Sequence, residues 1–291
     1  MAYRINFIGC GQLGRTLGLL WQREHTVVIG DILNRSLDSA ESAVAAIGAG
    51  RAIDDIAQMQ AAELTIVACG DDAIADCSQM LADSGVLRDG DVVFHCSGAQ
   101  SSALLANCRE KGAYIASIHP IKSFANPQLA ADSFAGTYCG VEGDAAALSL
   151  AGPLFSQLGA HLLPIHAEHK TLYHAASVIA CNYLVALQEL SIQTFAEAGI
   201  EREQAMAVLK PIVSGTVENV FRLGTSEALT GPIARGDHEV VNNQLDTISA
   251  WNKDYGNLYR LLGDLSIPLA REQGHASAAD LAKIKARLDK G

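Results

Sequence analysis

The chain has 291 residues, a formal charge of −11, 49% apolar residues and 18% charged ones. That is the composition of a folded globular chain long enough for two domains, and it excludes a disordered or fibrous one. An acidic chain without a basic run also suits neither nucleic acid nor an anionic membrane, so an anionic ligand would need local donors.

The first half alternates strand and helix. "RINFIG" (4–9) reads as a strand, "GCGQLG" (9–14) as a loop, and Gln12–Arg23 as a helix. Further β-branched runs follow at "TVVIG" (26–30), "LTIVACG" (64–70), "DVVFHCSG" (91–98), "AYIASIHP" (113–120) and "GTYCGVEG" (136–143). Helical patterns at Ser36–Ile47, Ala73–Asp83 and Ser101–Lys111 separate most of them. Short apolar strands spaced by helices predict a doubly wound, mostly parallel sheet of the Rossmann type. From about residue 166 the pattern becomes helical, first as one long helix ending at Gly199, then over Glu201–Leu209, Ile212–Phe221, His238–Leu262 and Ala276–Leu288. "LTGPIARGD" (229–237) interrupts these as a turn. The expected division is an α/β dinucleotide-binding domain over 1–163 and an all-helical domain over 164–291, the latter serving substrate binding and dimerisation.

The start "MAYRINFIG" turns at once into a strand and does not resemble a signal peptide. The apolar run 175–187 is short for a bilayer and contains Ser177 and Asn182, so no membrane partner is expected. Seven scattered cysteines without a Cys-x-x-Cys read as buried thiols in a reducing compartment, and the expected location is the cytoplasm.

Between the first strand and helix, Gly9 would allow a tight turn. Gly11 would allow close approach of backbone to a pyrophosphate, and Gly14 close packing of helix on strand. The helix start at Gln12 and Leu13 would offer free N–H groups to the phosphates. The second strand leaves two readings open. If it ends at Gly30, Asp31 sits at its tip and binds a ribose hydroxyl, as in NAD sites. If it runs on through Ile32 and Leu33, the tip is Asn34-Arg35-Ser36, whose donors suit the 2′-phosphate of NADP. NADP is the favoured cofactor and NAD the alternative. The expected contacts are Gly9, Gly11, Gln12, Leu13, Gly14, Asn34, Arg35, Ser36 and Cys69.

On the long helix, Lys170, His174, Ser177 and Cys181 fall within about 60° of one another. A lysine in an apolar helix facing a cavity would have a lowered pKa and could serve as a general acid. It could equally snorkel to water, and His174 could be a satisfied core histidine. Ser97-Gly98 and His119-Pro120 end successive strands, where ligands of open parallel sheets bind. The histidines at 166, 169 and 174 lack zinc-site spacing, and no metal is expected. The candidate catalytic groups are thus Lys170, His174, Ser97 and His119. Gly98, Ser177, Asn182 and Arg235 are candidate substrate contacts, with Arg235 able either to clamp a carboxylate or to pair with Asp237; Thr216 and Asn219 are weaker candidates.

"GCGQLG", "NRS", "SGA" (97–99), "IHPIKSF" (118–124), "HKTLYHAASVIACNYLVAL" (169–187) and "LTGPIARGD" together resemble bacterial Rossmann-like NADP oxidoreductases whose helical C-terminal domain has no assigned function. More distantly, the layout is similar to ketopantoate reductases, β-hydroxyacid dehydrogenases, prephenate dehydrogenases and pyrroline-carboxylate reductases. The resemblance spans nearly the whole chain. It implies hydride transfer between nicotinamide and a small 2-oxo or hydroxy acid or imino acid, in a homodimer formed through the helical domain. The hydroxy-acid enzymes carry a Lys followed four residues later by Asn, and here His174 stands at that second position. The alternative reading is a non-catalytic NADP-binding sensor or dimeric assembly module.

Overall fold

The computed structural model describes residues 3–290. Eight strands form one sheet: β1 (Arg4–Ile8), β2 (Val28–Leu33), β3 (Arg51–Ile53), β4 (Leu64–Val67), β5 (Val92–His95), β6 (Tyr114–Pro120), β7 (Tyr138–Gly143) and β8 (His161–Pro164). Their spatial order is β3-β2-β1-β4-β5-β6-β7-β8. All neighbours pair in parallel except β6 and β7, which are antiparallel. The order reverses between β1 and β4, the place where such sheets leave a crevice at their carboxyl edge. β3 and β8 escape a reading by hydrophobic runs: β3 has three residues, and the four of β8 are exposed.

The helices of this part are α1 (Gln12–Arg23), α2 (Leu37–Ile47), α3 (Ile74–Asp83), α4 (Ala106–Arg109), α5 (Pro127–Asp132), α6 (Ala145–Ser156) and α7 (Lys170–Ser177). The continuous apolar strands are buried because helices cover both faces. On one face, Trp21 of α1 packs between Phe7 and Phe155, edge-on to the latter at 5.5 Å, and its indole N–H donates to the Leu154 carbonyl at 3.2 Å. On the other, Ile74 and Leu81 of α3 join Val67, Val93, Leu105 and Ile115. Each such side chain contributes about 1.5–3 kcal/mol by leaving water.

A π-helical turn (Val178–Asn182) follows α7 and leads into α8 (Tyr183–Glu197). Then come α9 (Arg202–Leu223), α10 (Thr225–Ala228), α11 (Pro232–Arg235), α12 (His238–Trp251), α13 (Lys253–Gln273) and α14 (Ala278–Leu288). Two helices expected on either side of Pro211 are the single α9, and the helix expected over 238–262 is broken at Asn252, whose side chain caps α13. The turn expected at "LTGPIARGD" contains the short α11, closed by Gly236 in the left-handed conformation.

The chain divides into two compact units, residues up to Cys181 and residues from Asn182 on. The sheet itself ends at Pro164, beside the expected change of character; the first unit runs further because α7 is bonded to the sheet. The second unit has a small core of Val241, Leu245, Ile267, Ile284 and Leu288. The continuous helix Ala167–Glu197 spans 31 residues and contains an 18-residue stretch apolar enough, by length and composition alone, to cross a membrane. The apolar run 175–187 read from the sequence lies inside this longer helix. All seven cysteines are free: Cys10, Cys96, Cys108 and Cys139 are buried, whereas Cys69 and Cys77 are half-buried and Cys181 is exposed.

Candidate active site

The glycine loop is built as its spacing requires. Gly9 has φ +76°, a backbone region that glycine enters without strain, and a Cβ there would lie 2.7 Å from the Cys69 backbone nitrogen. Gly14 faces Cys10 Sγ and Ala68 across the helix–strand contact, at 3.2 and 3.5 Å from a built Cβ. Gly11 differs from both, since nothing lies within 4 Å of the place its Cβ would take. It is the N-cap of the twelve-residue α1, which has no side-chain cap and no acidic residue in its first turn. Free N–H groups and the positive helix end therefore face open space next to Gln12 and Leu13. A pyrophosphate fits that cradle on size and on charge.

The second strand runs on to Leu33, so the tip is Asn34-Arg35-Ser36. The register between β1 and β2 shifts between Ile5 and Phe7, and Asn6 Oδ1 accepts from the Asp31 amide at 2.8 Å. Asp31 is wholly buried and accepts from Arg51 through two nitrogens, at 2.8 and 3.0 Å, and from the Gln60 amide at 2.6 Å. Burial alone would raise its carboxyl pKa, but the bonds from Arg51 and Gln60 hold it below the usual range. Asp31 is thus consumed inside the fold. At the tip, Asn34 Oδ1 accepts from the Cys10 amide at 2.7 Å and ties the glycine loop down, while Ser36 caps α2 through the Ser39 amide. Arg35 is exposed, with no ion-pair partner among the described residues.

The second cluster grows from the β6–β7 pairing. In that antiparallel register Ser117 lies opposite Glu142 and His119 opposite Gly140, and by period two all four share one face. Helix α7 lies on that face. Lys170 reaches Ser117 Oγ and pairs with Glu142 at 3.2 Å, and Glu142 also accepts from the Ser102 amide and hydroxyl at 2.8 and 2.7 Å. One turn on, the Tyr173 hydroxyl meets His119 Nδ1 at 3.0 Å. Gly140 makes room for it, since a Cβ there would fall 2.5 Å from that hydroxyl. His174 packs edge-on to His119 with ring centroids 5.7 Å apart, and both imidazoles press on Gly98, where a Cβ would collide with them.

Lys170 therefore stands differently from a donor on a cavity wall. Burial lowers its pKa as expected, with Glu142 acting the other way, but the side chain is only 1% exposed and its ammonium is held by Ser117 and Glu142. Ser97 is buried too. Its hydroxyl accepts from the Ala99 and Gln100 amides at 3.2 and 2.9 Å, and so shapes the turn that presents Gly98. Beneath it, the wholly buried His95 accepts from the Ser97 amide and meets the Ser101 carbonyl at 3.0 Å; burial brings its pKa down to about 4. His119 is also lowered to about 4, by burial first and His174 next. The Asp71 carboxylate acts on His95, His119 and Lys170 alike. Asp71 follows Cys69, which packs on Gly9, so the cradle and the imidazole cluster share one edge of the sheet.

Ser177 is half-buried at the end of α7. The π turn carries the exposed Cys181 and Asn182, so the regular stripe expected from Lys170 to Cys181 breaks before its last member. Arg235 and Asp237 form no ion pair: the Asp237 side chain caps α12 and Arg235 is exposed. Thr216 and Asn219 bond within α9, to Ile212 and Arg222. Sequence reasoning missed Glu142, Ser117, Tyr173, His95 and Asp71. Glu142 carried a signal, because a carboxylate inside the apolar strand "YCGVEG" is costly to bury without a partner.

The strand order and the glycine loop define a Rossmann-like fold, and residues 2–120 match the model of the Rossmann-like domain. Residues 137–265 match the domain of unknown function DUF2520, so the chain joins these two domains. It is similar to the solved protein TM1727 of Thermotoga maritima, with 27% identity, a TM-score of 0.72, and coverage of 92% of this chain and 99% of that one. BF3122 of Bacteroides fragilis, named as a candidate NADP oxidoreductase, shares 20% identity at a TM-score of 0.72, covering 94% and 98%. A pyrroline-5-carboxylate reductase from Coxiella burnetii shares 18% identity at a TM-score of 0.60, covering 100% of both chains. These last two share the fold. No curated protein matches the chain.

Proposed function

We propose that the chain is an NADP-dependent oxidoreductase acting on a small 2-oxo or 2-hydroxy acid or an imino acid. One observation carries this reading: an open, positively poised cradle at Gly11 shares the sheet's carboxyl edge with the half-buried imidazoles of His119 and His174. The names of BF3122 and of the pyrroline-5-carboxylate reductase agree with it. The first turn of α1 holds the pyrophosphate, and the Arg35 fork meets the 2′-phosphate. When bound, the nicotinamide supplies or takes up the hydride. His119 and His174 beside Gly98 are the groups that meet the reacting atoms. Lys170 acts through its bonds to Glu142 and Ser117, holding α7 so that Tyr173 and His174 reach those positions. Arg235 is available to an anion.

The helical unit supports a homodimer. Its core is small, while Val185, Ile212, Phe221, Leu261 and Leu265 are each at least 58% exposed, and such a surface calls for a second copy. Sedimentation should give twice the chain mass. A monomer with Phe221 solvated would remove that part of the proposal.

The function is tested by fluorescence titration with NADPH and NADH, followed by a panel of 2-oxo acids and cyclic imines. NADPH should bind more tightly than NADH. Arg35→Ala should weaken NADPH about 10- to 100-fold and leave NADH unchanged, as expected for a lost charge-assisted phosphate bond. Equal losses for both nucleotides would argue against the Arg35 assignment, and no binding of either would sink the oxidoreductase reading. Binding without turnover would favour a sensor.

A further inference from the structure

The Tyr173–His119 couple sets which nitrogen of the imidazole carries the proton. The Tyr173 phenol stays protonated, because burial raises its pKa to about 12, with Cys139 adding to the rise and the Gly140 amide opposing it. Its proton needs an acceptor, and among the described residues the one bonded to that hydroxyl is His119 Nδ1, at 3.0 Å. The reverse arrangement, with Nδ1–H donating to the phenol oxygen, would leave the phenolic proton without a protein acceptor among the described residues.

His119 is itself neutral near pH 7. Burial disfavours its cation, and the neighbouring His174 on α7 and Lys170 add to that effect. Asp71 on the turn after β4 opposes it, and His95 from β5 reinforces it. A neutral imidazole whose Nδ1 accepts must carry its proton on Nε2. That nitrogen lies beside Gly98, 2.8 Å from the place of a Cβ there, and makes no protein hydrogen bond among the described residues.

We infer that Tyr173 is a positioning residue that locks His119 as the Nε2–H tautomer, giving the site a fixed, uncharged hydrogen-bond donor for an acceptor atom of the ligand, such as a carbonyl oxygen. This deepens the oxidoreductase reading and rests on it only for what the ligand is. The tautomer is a property of the protein alone. No net proton leaves the couple in this role: the phenol keeps its proton and Nε2–H is shared with the acceptor.

The experiment is ¹⁵N–¹H correlation of the histidine rings in the full chain at pH 7, with His119 assigned by its disappearance in His119→Gln. Wild-type His119 should show a protonated Nε2 and a bare Nδ1. Tyr173→Phe removes only the hydroxyl and should shift the tautomer ratio roughly two- to ten-fold toward Nδ1–H, the weight of one hydrogen bond. Gly140→Ala, which displaces the same hydroxyl, should move the ratio in the same direction. A protonated Nδ1 in the wild type overturns the inference, and so does a Tyr173→Phe spectrum identical to the wild type; the wild-type spectrum decides even if a variant fails to fold. NADPH titration reports separately on the oxidoreductase reading, so the failure of one is told apart from the failure of the other.

Discussion

Replacing Lys170 by Met separates a buried anchor from a solvent-facing acid. Lys170 and Glu142 are 1% and 5% exposed, and each is the other's counter-charge. With Met at 170 the carboxylate keeps its two bonds from Ser102 but stands buried without a cation. Breaking one side of a buried pair costs about 3–5 kcal/mol. At about 2–4 °C per kcal/mol for a unit of this size, the melting temperature should fall by about 6–20 °C. The companion variant Lys170→Met/Glu142→Gln removes both charges, and the Ser102 hydroxyl can turn to accept from the new amide. Most of the lost stability should then return. Denaturant unfolding of the three proteins at pH 7 measures the cycle. A loss under about 1 kcal/mol in the single variant, or a double variant as unstable as the single, would refute the anchor role and return Lys170 to the cleft.

Three further outcomes follow from the geometry. A Cβ at Gly11 has no neighbouring protein atom within 4 Å and the backbone there is extended, so Gly11→Val should lose no more stability than the roughly 1 kcal/mol of a poorer N-cap while NADPH affinity falls at least about ten-fold; retained affinity would mean that the cradle is not where the nucleotide lies. Gly9→Ala should instead lose at least about 2 kcal/mol of stability, because it adds a strained φ of +76° to a clash with the Cys69 backbone, and urea unfolding reads this directly. His95, at about 4 in the fold against 6.5 for a free imidazole, binds its proton first in the unfolded chain. Its contribution is therefore complete above pH 6.5 and is lost as pH falls toward 4, about 3 kcal/mol in all. A His95→Gln variant should show a flatter profile over that window, measured by chemical denaturation at several pH values.

Much of this was legible in the sequence because it depends on local spacing. Gly9, Gly11 and Gly14 sit at a strand-to-helix junction whose chemistry admits few alternatives, and the first helix runs over Gln12–Arg23 as its periodicity implies. The strand tip at Asn34–Ser36 was harder, since its placement turns on a register shift and on the Asn6 side chain that binds Asp31. The imidazole cluster was half legible: His119 and His174 could be named, but not their meeting at Gly98. Lys170 could be read either as facing a cavity or as reaching water, and its partner, 28 residues earlier on a strand running against its neighbour, carries no periodic signature in the chain. Non-local pairing is what a single sequence hides best.

The antiparallel join between β6 and β7 has a consequence for how the protein tolerates change. The segment between them, residues 121–137, contributes nothing to the Lys170 anchor or to the Tyr173 contact, although its α5 packs on α1 and Ala131 and Phe134 enter the core. A slip of one residue in the join would turn Glu142 and Gly140 to the opposite side of the sheet together, depriving α7 of its charge partner and of the hollow for the phenol at one stroke. An insertion at the exposed Ala125 should therefore be tolerated far better than a single-residue deletion within Tyr138–Gly143.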